Sequence, residues 1–476
     1  MPLSTSPQSP ADVVAEVPDV PAAGVADAAA RARTAGRAWH PGGAAARADA
    51  LGALADRLAA DAPALAALVV REVGKPAAEA AGEVARAVAL LRYFAQQALL
   101  PVGSVLPQAG GGAGAGGLLF SERVPHGVAG LVTPWNFPLA IPLWKAAPAL
   151  AAGNAVLLKP SPEATGVALA LAAHAADVLP EGVFTVLPGG AETGSALVDA
   201  VDVVSFTGSS GVGRAVIARA AERGIGCQAE MGGSNATVVL ADADPDAAVA
   251  GVLAGAFGYA GQKCTATSRV ILVGDARGLA EAVVDGLTRV APADPTAPGC
   301  TVGPVITSAA AAAVHDAVTE AMDRAERAGG GTTRVHRAPE GPSGPPGTSA
   351  GHYVAPVLVE DPVAGSRLTT TEVFGPIATM STVADLAEAV RAVDGTRYGL
   401  VTSLYTSDLD AALAFSAEVG TGLVRVNQPT TGVDFHAPFG GEKESSYGPR
   451  EQGPQAGDFY TRSRTVTIAP GRPART

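Results

Sequence analysis

The sequence predicts an α/β protein built on parallel β-sheet, and three features carry that expectation. Between Val128 and Leu240 short apolar runs alternate with stretches of helical periodicity, the pattern of consecutive βαβ units. From Ala44 to Gln97 apolar residues recur at helical spacing, as in Leu51, Leu54 and Leu58 and again in Leu65, Leu68 and Val69. The composition favours small residues: 58 Gly and 37 Pro stand beside only 4% aromatics, so the core is packed mainly by Ala, Val and Leu. With 476 residues, 48% of them hydrophobic, the chain is long enough for two or three ordinary domains, and a disordered or collagen-like protein is excluded.

Taken in order, Met1 to Pro10 is polar and Pro-rich, with no basic or apolar stretch of the kind a secretory signal needs. Ala44 to Gln97 reads as a helical layer broken at Pro63 and Pro76. Pro101 to Gly117 reads as a loop. Its Gly-x-Gly-x-x-Gly match at Gly112, Gly114 and Gly117 follows no strand and opens no helix, so it reads as low complexity. Strands are expected at Val128 to Val132, Ala155 to Leu158, Phe184 to Leu187, Val203 to Phe206 and Thr237 to Leu240. One intervening helix begins at Ser161-Pro162-Glu163, with Ser161 as N-cap and Pro162 at the first helical position, and stops near Leu179. A second α/β region runs from Asp242 to about Val426, interrupted by a Pro-, Gly- and Ser-rich loop from Ala338 to Gly351. The last strand, Phe459 to Ile468, alternates in a way that suits pairing with another edge, that of a second subunit included.

Charge and composition narrow the function. The formal charge is -12, from 33 basic and 45 acidic residues, which argues against nucleic acid or an anionic membrane as partner and favours a small-molecule enzyme. The uncharged segment Gly127 to Trp144 contains Pro134, Pro138 and Pro142 and makes a poor membrane helix. Three scattered cysteines form neither a disulfide framework nor a Cys-x-x-Cys site, and the seven histidines show no ligand spacing. No metal is expected, and a reducing cytoplasm is the expected setting.

Several residues can carry chemistry. In Gly261-Gln262-Lys263-Cys264-Thr265 a thiolate at Cys264 would attack carbonyls, the alternative being a buried apolar cysteine, the reading also given to Cys227 and Cys300. Glu230 precedes Met231-Gly232-Gly233, where glycines allow a ligand to approach the backbone, and it reads as a general base or as a solvated capping residue. Asn136, within Pro134-Trp135-Asn136-Phe137-Pro138, reads as an oxyanion donor or as a residue satisfying its own turn. Phe206-Thr207-Gly208-Ser209 follows a strand and opens a helix, so its amides can face a phosphate.

These motifs, with Lys159-Pro160-Ser161 and Glu372-Val373-Phe374-Gly375-Pro376, resemble in content and order the NAD(P)-dependent aldehyde dehydrogenase superfamily from about Ala44 to Thr467. The 34 positions from Glu230 to Cys264 match the family's spacing of base and nucleophile. The resemblance implies that Cys264 attacks the aldehyde while Asn136 and the Cys264 amide hold the oxyanion, and that Glu230 activates water to release an acid rather than a coenzyme A ester. Lys145 and Glu451 match positions that relay protons. Lys159 would meet the adenosine ribose, Gly208 and Ser209 the pyrophosphate, Glu372 the nicotinamide ribose and Phe374 the nicotinamide, with Trp135 against the same channel and Ser161 and Gly232 also among the cofactor-binding residues. Where many NAD-preferring members carry a glutamate, this chain has Pro162, with Glu163 one position later, so NAD or NADP is expected with NADP slightly favoured.

The resemblance extends to the α-ketoglutarate semialdehyde (2,5-dioxovalerate) dehydrogenase group through the segments Val426 to Gly441 and Ser445 to Gly453. A short aldehyde bearing a carboxylate is then the expected substrate, with an uncharged aromatic or aliphatic aldehyde as the alternative and a catalytically silent protein on the same fold as a third reading. Relatives of the succinate semialdehyde type place arginines where this chain has Ala140 and Gly258, which implies a wider or more apolar mouth. The implied fold is an α/β aldehyde dehydrogenase fold. It has a Rossmann-like cofactor domain (1–102 and 128–233), a catalytic α/β domain (234–445) and a small β oligomerisation arm (103–127 and 446–470) that joins homodimers or homotetramers.

Overall fold

The computed structural model describes residues 3–100, 102–108, 117–329, 332–342 and 351–469. An N-terminal hairpin, β1 (Leu3–Ser6) with β2 (Ser9–Glu16), leads into four helices: α1 (Ala22–Trp39), α2 (Ala44–Ala60), α3 (Ala62–Val73) and α4 (Ala77–Gln97). The expected breaks fall at Pro63, inside the first turn of α3, and at Pro76, immediately before α4. Helix α3 stops at Gly74, which adopts left-handed φ of 65°; a Cβ there would lie 2.7 Å from Pro304 and 2.8 Å from Pro7, so only glycine fits. Along α4, Val84, Ala87, Val88, Leu91 and Phe94 form one buried stripe at helical spacing, packed against α2 and α5 (Ala140–Ala151).

Two sheets follow. The first has the order β19-β9-β8-β5-β6-β7, where β5 is Val128–Val132, β6 Ala155–Lys159, β7 Phe184–Val186, β8 Val203–Thr207, β9 Gly226–Glu230 and β19 Ser446–Tyr447. Its first five strands in chain order are parallel, and β19 closes one edge antiparallel to β9. Strands β5, β6 and β8 are buried throughout, as continuous apolar runs between helical layers must be. The covering helices include α5, α6 (Thr165–Ala176), α7 (Ala191–Ala200) and α8 (Ser210–Glu222).

The second sheet has the order β12-β13-β14-β11-β10-β16-β17. Here β10 is Asn235–Val239, β11 Thr267–Val273, β12 Arg334–Arg337, β13 Val357–Glu360, β14 Ile377–Val383, β16 Val401–Tyr405 and β17 Leu423–Val426, all parallel except β12. Helix α9 (Pro245–Phe257) follows β10 and is capped by the Asp244 carboxylate, which accepts from the amides of Asp246 and Ala247.

Three expectations need correction. Gly103–Leu106 is a strand, β3, not a loop: it pairs with β4 (Leu118–Pro125), a contact too short to leave a periodic signal. The C-terminal strand β20 starts at Thr461, not Phe459, which closes a short helical turn, Ala456–Phe459; as expected it pairs with another edge, that of β4 in the same chain, along Thr461–Ile468. Ser161 does not cap a helix. Its hydroxyl donates to the Glu163 carboxylate, a charge-assisted bond stronger than a cap, and a 3-10 turn at Pro162–Ala164 precedes α6. The glycine run from 110 to 116 and positions 343–350 of the expected loop lie outside the described residues.

Candidate active site

In the first sheet the chain runs outward from β5 through β6 to β7 and then returns to the other side of β5 for β8 and β9. The loops leaving β5 and β8 therefore diverge, and a crevice opens at the carboxyl ends of these strands. A cavity of about 430 Å³ occupies it, lined by Trp135 and Asn136 after β5, Thr207, Gly208 and Ser209 after β8, and Met231 and Gly232 after β9. Cys264, Glu372 and Phe374 reach it from the second sheet's side. Trp135 and Phe374 meet edge to face at 5.6 Å.

Cys264 is delivered by a strained turn. Tyr259, Ala260 and Gly261 all have left-handed φ, of 55°, 53° and 66°, and each non-glycine residue there costs roughly 1–3 kcal/mol. Burial holds the turn: the Tyr259 amide donates to the Thr301 carbonyl at 2.8 Å and its hydroxyl to the Val73 carbonyl at 3.1 Å. A Cβ on Gly261 would sit 2.2 Å from the Gly375 carbonyl oxygen. The Cys264 carbonyl accepts from Asn235 at 2.7 Å. Burial pushes the Cys264 thiol up to about 12, and the Glu372 and Glu230 carboxylates push in the same direction. The thiol thus needs a base to become a nucleophile.

Asn136 is buried, and its amide nitrogen donates one hydrogen to the Gln262 carbonyl at 2.9 Å, leaving the second for a ligand. Glu230 ends β9, where the Ser446 hydroxyl from β19 donates to its carboxylate at 2.5 Å. Burial and then the neighbouring Glu451 raise Glu230 well above the usual carboxylate range, so it binds a proton more tightly than a carboxylate in water. Beside it lies a buried ion pair between Lys145 and Glu451. Glu451 also accepts from the Trp144 indole at 2.6 Å and the Ser205 hydroxyl at 3.1 Å, and Lys145 donates to Ser205 at 2.8 Å. Both charges are thereby satisfied.

Glu372 lies over Gly232, where a Cβ would stand 1.8 Å from its carboxylate oxygen, and it accepts from the Gly233 amide at 3.3 Å. Burial pushes its carboxyl up to about 7. Ser209 occupies the N-cap of α8 without a side-chain cap bond, so its hydroxyl and the first amides of the helix remain open to an anion. Lys159 and Ser161 stand farther along the strand ends, at β6, and are not among the residues lining the cavity. Lys159 donates to the carbonyls of Pro160 at 2.7 Å and Gly189 at 2.8 Å, and burial lowers its ammonium to about 8.

The structure thus brings Cys264, Asn136, Trp135, Gly208, Ser209, Gly232, Glu372 and Phe374 to one cavity, with Glu230, Lys145 and Glu451 behind it. Sequence reasoning missed Ser205, Trp144 and Ser446. Ser205 had a signal, a lone hydroxyl inside the apolar run Val203 to Phe206; Ser446 had none, because its partner lies 216 residues away. The open helix terminus, the two aromatic rings and a buried carboxylate at one cavity suit a nicotinamide dinucleotide.

A two-sheet fold with a crevice suited to a dinucleotide, and a thiol, an amide and a carboxylate near it, is that of a nicotinamide-dependent dehydrogenase. The sequence matches the aldehyde dehydrogenase family over residues 4–466, and the chain belongs to that family. It is 36% identical to the α-ketoglutaric semialdehyde dehydrogenase of Bacillus subtilis, over 96% of this chain and 93% of that protein. It is 39% identical to the α-ketoglutarate semialdehyde dehydrogenase of Haloferax volcanii, over 84% of this chain and 82% of that one. Its fold superposes on an NAD-dependent aldehyde dehydrogenase from Sinorhizobium meliloti with a TM-score of 0.90 and 32% identity, over 99% of this chain and 92% of that one. The protein is an NAD(P)-dependent aldehyde-oxidising enzyme.

Proposed function

We propose that the enzyme oxidises α-ketoglutarate semialdehyde to α-ketoglutarate and ends its cycle by hydrolysis. Cys264 and Asn136 in one crevice, with the Glu230 carboxyl close enough behind them to act on the thiol, carry the chemistry, and likeness to the two α-ketoglutarate semialdehyde dehydrogenases supports the substrate. The Cys264 thiol gives its proton to solvent water, and its sulfur attacks the aldehyde carbon. The oxyanion of the resulting thiohemiacetal is received by the free Asn136 N–H and the Cys264 backbone amide. NAD(P)+, when bound, supplies the hydride acceptor that turns the thiohemiacetal into a thioester. Glu230 then removes a proton from water as the water adds to the thioester, and the acid leaves with Cys264 as a thiolate, which takes a proton back from solvent. Lys145 and Glu451 stand where they can pass that proton onward. Overall, aldehyde, NAD(P)+ and water give acid, NAD(P)H and a proton.

For the cofactor, Lys159 and Ser161 serve the adenosine ribose, Gly208 and Ser209 the pyrophosphate, and Glu372 and Phe374 the nicotinamide half. The slight NADP preference drawn from Pro162 meets a counterweight, since Glu163 folds back onto Ser161 and faces Lys159 with a carboxylate. Both cofactors are therefore part of this reading. So are a cytoplasmic setting, the three-part domain division and a homodimer or homotetramer joined through the β3-β4-β20 arm.

Ala140 and Gly258 favour a second reading, an uncharged aromatic or aliphatic aldehyde. Initial rates of NADH and NADPH formation with α-ketoglutarate semialdehyde, succinate semialdehyde, benzaldehyde and hexanal decide between them, with Cys264→Ala as blank. Preference for the keto acid aldehyde supports the first reading and preference for benzaldehyde or hexanal the second. Turnover that does not depend on Cys264 removes both.

A further inference from the structure

Lys75 is fully buried, yet the mechanism above does not use it. It occupies the corner between left-handed Gly74 and Pro76, and the corner throws its side chain into the space between the two loops of the active site. Its ammonium lies 3.6 Å from the centroid of the Phe137 ring and 4.8 Å from that of the Tyr259 ring. Phe137 adjoins Asn136, and Tyr259 opens the strained turn that ends in Cys264. The counter-charge, Glu83 on α4, pairs with Lys75 and accepts from the amides of Leu139 at 2.9 Å and Ala140 at 3.0 Å, where the Asn136 turn becomes α5. On the other side the Gln262 side chain donates to the Tyr259 carbonyl at 3.3 Å, and the Gln262 carbonyl receives Asn136.

These contacts close a ring: Lys75 to Glu83 to the Asn136 turn, and Lys75 to Tyr259 to Gln262 to Asn136. We propose that Lys75, with Glu83, is a positioning residue for the oxyanion donors, fixing the Asn136 loop and the Cys264 loop to each other through one buried cation. A charge enclosed in this way admits few arrangements of its partners, because displacing either ring or the carboxylate leaves the ammonium unsatisfied. The proposal rests on the oxyanion role given to Asn136.

The test is a double-mutant cycle of Lys75→Met with Asn136→Ala. Lys75→Met is expected to lower kcat roughly tenfold to hundredfold, less than the roughly 10²–10³-fold seen on outright loss of an oxyanion donor. It should leave the Kd for NAD(P)+ and the rate of Cys264 alkylation by iodoacetamide within about twofold, since alkylation develops no oxyanion. In the Asn136→Ala background it should cost no more than about twofold further. Glu83→Gln, which keeps an acceptor for the two amides but drops the charge, should show the same pattern and takes the place of Lys75→Met if that variant does not fold. The proposal is overturned if kcat is unchanged, if alkylation slows in parallel with kcat, or if the loss is as large with Ala at position 136. If Asn136→Ala alone leaves kcat unchanged, the oxyanion reading falls and this one with it.

Discussion

At Glu230 burial and the Glu451 carboxylate work in the same direction, and at Cys264 burial is reinforced by Glu372 and Glu230. Both groups thus bind a proton more tightly than they would in water, and Glu230 must release its own before it can take one from a water molecule. Replacing Glu230 with Gln should leave a burst of NAD(P)H of about one equivalent per site, followed by turnover reduced roughly 10²–10⁴-fold. Stopped-flow absorbance reads this, and full steady-state activity in that variant would remove the hydrolytic role. Glu372 makes a separate prediction about stability. Between its ordinary 4.5 and about 7 the folded chain keeps a proton that the unfolded chain has released, so stability falls as pH rises through that window. The full difference is roughly 3 kcal/mol. Glu372→Gln should flatten this dependence, as measured by urea unfolding at pH 5 and pH 7.5, and an unchanged slope would show that burial does not hold that proton.

Among the elements, strand and helix identities were legible wherever a continuous period exists. The strands β5, β6 and β8 and the broken helices α2 to α4 follow directly from apolar spacing. The elements that escaped are those whose partner lies far along the chain: β3 makes sense only against β4, and β19 only against β9. The residues of the site were legible as motifs, but their burial and proton affinities were not, because Glu451, Ser205 and Lys75 reach their partners through the fold. Two substitutions probe elements directly. Leu91→Ala, in the buried stripe of α4, should cost about 2–5 kcal/mol in denaturant unfolding, and a cost below 1 kcal/mol would mean the stripe is not packed as described. Gly232→Ala forces its Cβ into Glu372, so cofactor Kd should rise while alkylation of Cys264 proceeds; unchanged affinity would separate Glu372 from the cofactor.

For the whole molecule, the two sheets have separate apolar cores, one around β5, β6 and β8 and the other around β10, β11 and β14. No helix among the described residues is long and apolar enough to cross a membrane. Much of the exposed bulky apolar surface gathers on the three-stranded arm and its root, at Leu99, Leu100, Val102, Val105, Leu106, Leu118 and Ile468, with Val105 75% exposed. That concentration suits contact with another copy of the chain. Val105→Asp should therefore lower the mass seen by sedimentation velocity while leaving the circular dichroism unchanged, and an unaltered mass would exclude this face of the arm from the subunit contact.

The return of β19 to β9 has a consequence for how the protein is made. Ser446 supplies both the last strand of the first sheet and the hydroxyl held by Glu230, and Glu451 follows it closely in the chain. Until the ribosome has released this C-terminal stretch, the nascent polypeptide carries Glu230 without its Ser446 partner and leaves the backbone of β9 bare along one side. A growing chain thus exposes that strand edge to neighbouring chains, the stage at which chaperones would have the most to shield.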